Sequence, residues 1–285
     1  MIPPDDTDAN LRARYYHAGF ASIEDFLSRM PDGVLRFEDD SVGTIDSGRI
    51  TCTREQLRKA KGELLDHALS MVSDRVVDYV ELGVMNCNTF NAVMLGQKNP
   101  GSRFYGYDTF DGLPEPWVQE WGGGPLRMGR EKGELAAREL PPVIDHRGAL
   151  YRGTFQDTLI PSLADVFPHG RDEDRLLFIN VDCDIYSGAL FGLTVMHPLL
   201  RHGDIVYFDE FFDAWNEFAA FNDYVRAYEC RDWFVPIATA YDGVLFRLDY
   251  PGAQAPEKLV QASSSYLARL NASVRARYRR AKRHR

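Results

Sequence analysis

The 285-residue sequence predicts a doubly wound, mostly parallel α/β sheet of seven strands, with an N-terminal helical segment, a lid and a terminal antiparallel strand. Three observations predict it. Short apolar runs alternate along the chain with segments of helical periodicity, as in successive βαβ units. The runs are nearly continuous rather than alternating in polarity, which suits strands covered on both faces. The last two runs lie too close together for a helical crossover, so one of them runs antiparallel to its neighbour.

In chain order, FASIEDFLSRM (20–30) has a helical pattern and is followed by a polar stretch, DDSVGTIDSGRI. Thr53, with a long periodic run to Val72, reads as a capped amphipathic helix. RVVDYVELGV (75–84) is the first buried strand, TFNAVMLGQ (89–97) a helix and SRFYGYD (102–108) the second strand. GALYRGTF (148–155) is a third strand, QDTLIPSLADVF a helix and RLLFINVD (175–182) the fourth strand. SGALFGLTVMHPLL is helical despite Pro198 near its end, and GDIVYFDE (203–210) is the fifth strand. DAWNEFAAFNDYVRAY (213–228) is a helix, and DWFVPIATA (232–240) and DGVLFRLDY (242–250) form the final strand pair. Residues 113–147, punctuated by Gly and Pro, are too long for an ordinary connection and read as a lid. The chain thus divides into an N-terminal helical extension (1–72), an α/β domain (73–250) and a C-terminal helix with a basic tail (251–285).

Charge excludes one class of partner. Residues 271–285 hold seven Lys/Arg and no acid, so residues 1–270 carry 26 basic against 42 acidic side chains, a formal −16. Such a body is not expected to take nucleic acid as its substrate. No stretch approaches the ~20 apolar residues of a membrane span, and the acidic start MIPPDDTDAN lacks a secretory pattern. A cytoplasmic location is expected. Cys52, Cys87, Cys183 and Cys230 show no CxxC spacing and are expected to be free thiols.

Ligands of open α/β sheets bind beyond the carboxyl ends of the strands, and acids gather there in this sequence. Glu81 lies in the first strand, Asp108 ends the second, Asp182 the fourth, and Asp209 and Glu210 the fifth. Any one of them is equally well explained as a helix cap; four strands ending this way point to a site. Asp108 stands where nucleotide-binding sheets place the acceptor for ribose hydroxyls. The first turn has one glycine where a dinucleotide site has three, so it does not offer the backbone approach that a pyrophosphate needs. A phosphate-free nucleoside cofactor, S-adenosylmethionine, fits better, and NAD-dependent redox chemistry fits worse. Asp182, Asp209 and Glu210 form an oxygen-only set that needs a cation and favours Mg²⁺ or Ca²⁺ over zinc.

ELGV (81–84), YGYDTFDGLPEP (105–116), RGTFQDTL (152–159), INVDCDIYSGAL (179–190) and GDIVYFDEFF (203–212) resemble the macrocin O-methyltransferase family, metal-dependent class I methyltransferases that act on sugar hydroxyls of natural products. The resemblance implies that Glu81, Gly83 and Thr89 line the methionine end of S-adenosylmethionine and that Asp108 takes the ribose. It implies that Phe155 and Gln156 hold the adenine and that Asp182, Asp209 and Glu210 bind Mg²⁺. It further implies a small hydroxylated acceptor, a lid over 113–147 and a homo-oligomer. Two departures stand out. The family's Gly-Gly pair is Cys87-Asn88 here, and the lysine base of catechol-type relatives is replaced by Ile185. Asp182 is therefore the expected base, ahead of Asp184 and His146. Trp117, Trp121, Phe211, Phe212 and Trp215 are candidates either for an acceptor wall or for core packing. Methylation of a phenolic acceptor and a non-catalytic scaffold that binds the cofactor are the competing readings.

Overall fold

The computed structural model describes residues 18–37, 53–120, 125–128, 140–167 and 171–250. The helix and basic tail expected over 251–285, lid residues 121–124 and 129–139, Cys52 and Trp121 lie outside the described residues.

Five parallel strands form the body of the sheet: β2 (Val76–Leu82), β3 (Arg103–Asp108), β6 (Gly148–Arg152), β7 (Arg175–Val181) and β8 (Ile205–Phe208). The final pair, β9 (Phe234–Ala240) and β10 (Gly243–Leu248), folds back as expected, with β10 inserted antiparallel between β8 and β9. An eighth strand, β1 (Leu35–Arg36), joins the far edge beside β9; at two residues it is too short to leave a sequence pattern. The order is β1-β9-β10-β8-β7-β2-β3-β6. A separate hairpin, β4 (Trp117–Glu120) with β5 (Pro125–Met128), rises from the lid segment.

Both sheet faces are covered, which is why the strands read as continuous apolar runs. On one face Val77, Tyr79, Phe178 and Tyr207 pack under α2 (Arg54–Met71) and α3 (Asn88–Gly96). On the other, Val80, Leu82, Ile179 and Phe208 pack against α4 (Phe155–Val166), α5 (Tyr186–Met196) and α6 (Glu217–Tyr228). The N-terminal α1 (Ile23–Ser28) joins this second face through Ile23 and Phe26. Helix α2 starts at the predicted cap: Gln56 N donates to Thr53 Oγ1, and Thr53 N to Gln56 Oε1.

The chain leaves β2 toward β3 and leaves β7 toward β8, in opposite directions, although β2 and β7 are neighbours. A crevice opens at such a reversal, at the carboxyl ends of the strands. Among the described residues no helix is long and apolar enough to cross a membrane.

Candidate active site

A cleft of about 420 Å³ lies over this reversal, within the range of small-molecule sites. Its wall includes Gly83, Thr89, Asp108, Phe155, Gln156, Asp182, Asp209 and Glu210, so eight of the nine expected site residues meet in one place. Glu81 is the exception. It faces α3 beneath the cleft, 1% exposed, and accepts a short hydrogen bond from the Tyr79 hydroxyl. Burial pushes its carboxyl up to about 8 against the pull of that bond.

The cofactor-side half is built from the β2–α3 turn. The backbone ladder runs past the strand ends, with Gly83 N donating to Tyr107 O and Asp182 N to Leu82 O, both at 2.9 Å. Gly83 has φ +94°, and a Cβ there would stand 1.8 Å from the Asp182 carbonyl oxygen; the position requires glycine. Beyond it Met85 and Cys87 also adopt left-handed backbone, at φ 46° and 63°. Asp108 holds this turn: Oδ2 accepts from Val84 N at 2.9 Å and Met85 N at 2.7 Å, and Oδ1 from Phe110 N at 2.7 Å. Asn86, Asn88 and Thr89 bring the start of α3 to the cleft wall; Cys87 supplies no side-chain cap there, and Asn88 N donates to Asn86 Oδ1 at 3.3 Å. Such a start attracts a carboxylate. Burial pushes the Cys87 thiol up to about 12, which leaves it inert.

The other half is a concentration of carboxyls. Asp182, half-buried in the wall, is pushed well above the ordinary carboxylate range by withdrawal from water and then by Asp209, Glu81, Asp184 and Glu217. Burial and Asp184 raise Glu210 likewise, with Lys61 opposing. Glu217, fully buried at the start of α6, accepts from Glu210 N at 3.1 Å through Oε2, while its Oε1 is buried with no hydrogen-bond partner. Into this cluster α2 sends Lys61, whose Nζ lies 2.8 Å from Asp209 Oδ2 and 3.1 Å from Asp242 Oδ1. Burial opposes the lysine's charge, but Asp209, Asp242 and Glu210 outweigh it and raise its pKa, so it stays an ammonium. Tyr207 donates to the other oxygen of Asp209 at 2.7 Å.

The set fits a hard divalent cation in its donor chemistry. The ligands are oxygens, the negative charge is in excess, and the buried Glu217 Oε1 has no hydrogen-bond partner. As they stand, however, no three His, Cys, Asp or Glu side chains among the described residues are gathered closely enough to hold a metal ion.

Lys61, Asp242, Glu217, Tyr79 and Tyr207 escaped the reading of the sequence. For Lys61 a signal existed, because it falls in the buried stripe Leu57–Ala60–Leu64–Ala68 of α2, where a charge needs a reason. Of the weaker base candidates, Asp184 lines the cleft, whereas the His146 side chain is 93% exposed beside Asp145 and outside the cleft wall. Phe211 and Phe212 are core residues, not an acceptor wall. Trp117 is also buried, and its indole nitrogen donates to Asp213 at 3.2 Å. Glu115 accepts from Ser187 N at 3.2 Å, so the described start of the lid is tied across the cleft mouth at two points. Trp215 stays 46% exposed.

Two solved structures resemble this fold. That of the O-methyltransferase NovP superposes with a TM-score of 0.51 at 20% identity, over 67% of this chain and 80% of that one. That of CalS11, a calicheamicin methyltransferase, gives 0.50 at 18% identity, over 86% and 95%. At these identities the likeness establishes the fold, a Rossmann-like methyltransferase sheet with antiparallel C-terminal strands. No protein-family model matches the sequence, and no curated protein matches it.

Proposed function

We propose that this protein is an S-adenosylmethionine-dependent O-methyltransferase that uses Mg²⁺ and methylates a hydroxyl of a small molecule, the sugar moiety of a natural product. One observation carries the reading: a single cleft at the sheet's reversal joins a turn suited to a phosphate-free nucleoside to an oxygen-only carboxylate cluster. The resemblance of the fold to O-methyltransferases supports it.

On this reading the start of α3, with Gly83 and Thr89, receives the methionine carboxylate end. Asp108 takes the ribose hydroxyls while keeping the turn closed, and Phe155 and Gln156 at the start of α4 bracket the adenine. Glu81 lies beneath the cleft, bonded to Tyr79, and supports it from below rather than touching the ligand. Asp182, Asp209 and Glu210 would hold Mg²⁺, which when bound lowers the pKa of an acceptor hydroxyl and balances the carboxylates. S-adenosylmethionine, when bound, would supply the sulfonium methyl group for transfer to that oxygen. Asp182, in the cleft wall beside Asp184 and Asp209, would take the hydroxyl proton on a carboxylate oxygen. The described start of the lid is anchored beside the cleft through Glu115 and Trp117.

Calorimetric titration of S-adenosylmethionine into metal-stripped protein tests the first half. The wild type should bind and Asp108→Ala should bind at least about tenfold more weakly, the loss of one charge-assisted contact. Asp182→Asn should still bind the cofactor but lose roughly 10²–10⁴ in transfer to a hydroxylated acceptor. No binding to the wild type at high concentration would sink the reading. The commitment of both Asp209 oxygens to Lys61 and Tyr207 favours a second reading, a cofactor-binding scaffold without turnover. Cofactor binding with no metal effect and no transfer to any acceptor would select it.

A further inference from the structure

The three carboxylates that end β7 and β8 reach one cleft without forming a cage, and the contacts of Asp209 explain why. Its Oδ2 is 2.8 Å from the Lys61 ammonium and its Oδ1 accepts from the Tyr207 hydroxyl at 2.7 Å. Both oxygens are therefore engaged by the protein itself. Lys61 has a second anchor in Asp242, 3.1 Å away, and its side chain is 17% exposed. Around this pair the cluster stays short of positive charge: Glu217 Oε1 is fully buried without a partner, next to Glu210. An ammonium and a divalent cation cannot share one carboxylate oxygen at contact distance, because their repulsion in a half-buried site is large.

We propose that Lys61 is a built-in counter-cation that competes with a divalent cation for Asp209, so that helix α2 sets the metal affinity of the cleft. The inference rests on the reading of this cleft as a cation-assisted methyl-transfer site. Lys61 acts through Asp209 and is a positioning residue. When a divalent cation draws Asp209 toward Asp182 and Glu210, the ammonium gives up Asp209 and keeps Asp242. The charge that it withdraws from the cation's first partner stays inside the cluster, so the site is not left with a stranded lysine. Any movement of α2, which also brings Leu57 and Arg58 to the cleft wall, then changes how strongly Asp209 is held back.

The test is a Mn²⁺ titration, followed by the resonance of the free ion, on full-length wild type, Lys61→Met, Lys61→Gln and Lys61→Arg. Titration of S-adenosylmethionine is run in parallel. Removing the ammonium should tighten Mn²⁺ binding by about tenfold or more in Lys61→Met and Lys61→Gln. Lys61→Arg, which keeps the charge, should remain within a few-fold of the wild type. A purely structural lysine would leave Mn²⁺ affinity unchanged or weakened in the folded neutral variants, and that result overturns the proposal. If neither neutral variant folds alone, millimolar Mn²⁺ should restore the fold by taking over the ammonium's charge; failure to do so also overturns it. Tighter Mn²⁺ binding without any binding of S-adenosylmethionine would support the competition and overturn only the methyltransferase reading.

Discussion

A carboxyl sealed beneath a ligand cleft holds its proton, and Glu81 is such a group. It is 1% exposed, and its pKa rises from the ordinary 4.5 to about 8 because burial disfavours the charge more than the Tyr79 hydroxyl restores it. The folded state therefore binds a proton that the unfolded chain has released over this window. Its contribution to stability is complete below pH 4.5 and is lost as pH rises through about 8. The slope reaches at most about 1.4 kcal/mol per pH unit for one such group. Metal-free protein should thus melt at lower temperature at pH 8 than at pH 5, and Glu81→Gln should flatten the decline. Asp182, Glu210 and Glu217 shift in the same direction, so part of the slope remains in the variant. An unchanged slope in Glu81→Gln would show that this carboxyl does not hold the proton. At this scale the sequence was half legible. The strand-end acids announce themselves by position, but Lys61 meets Asp209 across 148 residues, a distance that no local pattern spans.

The β2–α3 turn sets how the cofactor half of the cleft is built. Its first residue, Gly83, cannot carry a side chain, since a Cβ would sit 1.8 Å from the Asp182 carbonyl; Gly83→Ala should push β2 and β7 apart and cost several degrees of Tm together with cofactor binding. Met85 is the converse case. At φ 46° and 43% exposed, it holds a left-handed conformation with little packing in return. Met85→Gly should relieve about 0.5–1 kcal/mol of strain, a rise of a few degrees in Tm for a domain of this size. A lower Tm would show that the methionine packs better than its exposure suggests. The strands and helices were legible because each strand is buried on both faces and each helix keeps an apolar stripe. This turn was not. Its left-handed non-glycine residues are Met85 and Cys87, types that give no warning of such a backbone; the Asp108 carboxylate from another strand holds Val84 N and Met85 N, and Cys87 N closes on Val84 O.

Across the whole molecule, the N-terminal segment belongs to the core that supports the site. Phe20 is fixed by paired hydrogen bonds to the Asn222 side chain on α6, at 2.7 and 2.8 Å. Phe26, 3% exposed, packs at ring-centroid distances of 4.9 Å from Phe211, 6.1 Å from Phe212, 6.5 Å from Phe218 and 6.0 Å from Phe246. Phe211 directly follows Glu210, so the aromatic cluster and the carboxylate cluster share one stretch of backbone at the end of β8. The sequence showed the helix over 20–30 but not its seat, because the partners of Phe26 come from α6, β10 and the loop after β8. Phe26→Ala should then cost about 3–5 kcal/mol, the loss of a buried aromatic with a cavity left behind. It should also weaken whatever Glu210 holds, since the cavity opens beneath that residue's neighbour. Chemical denaturation and Mn²⁺ titration of the same variant separate the two effects. A loss below about 1 kcal/mol, the range of surface substitutions, would make the N-terminal segment a peripheral cap. A cost of the full ~3–5 kcal/mol with unchanged ion binding would mean that the end of β8 is held by Asp209 and its partners alone.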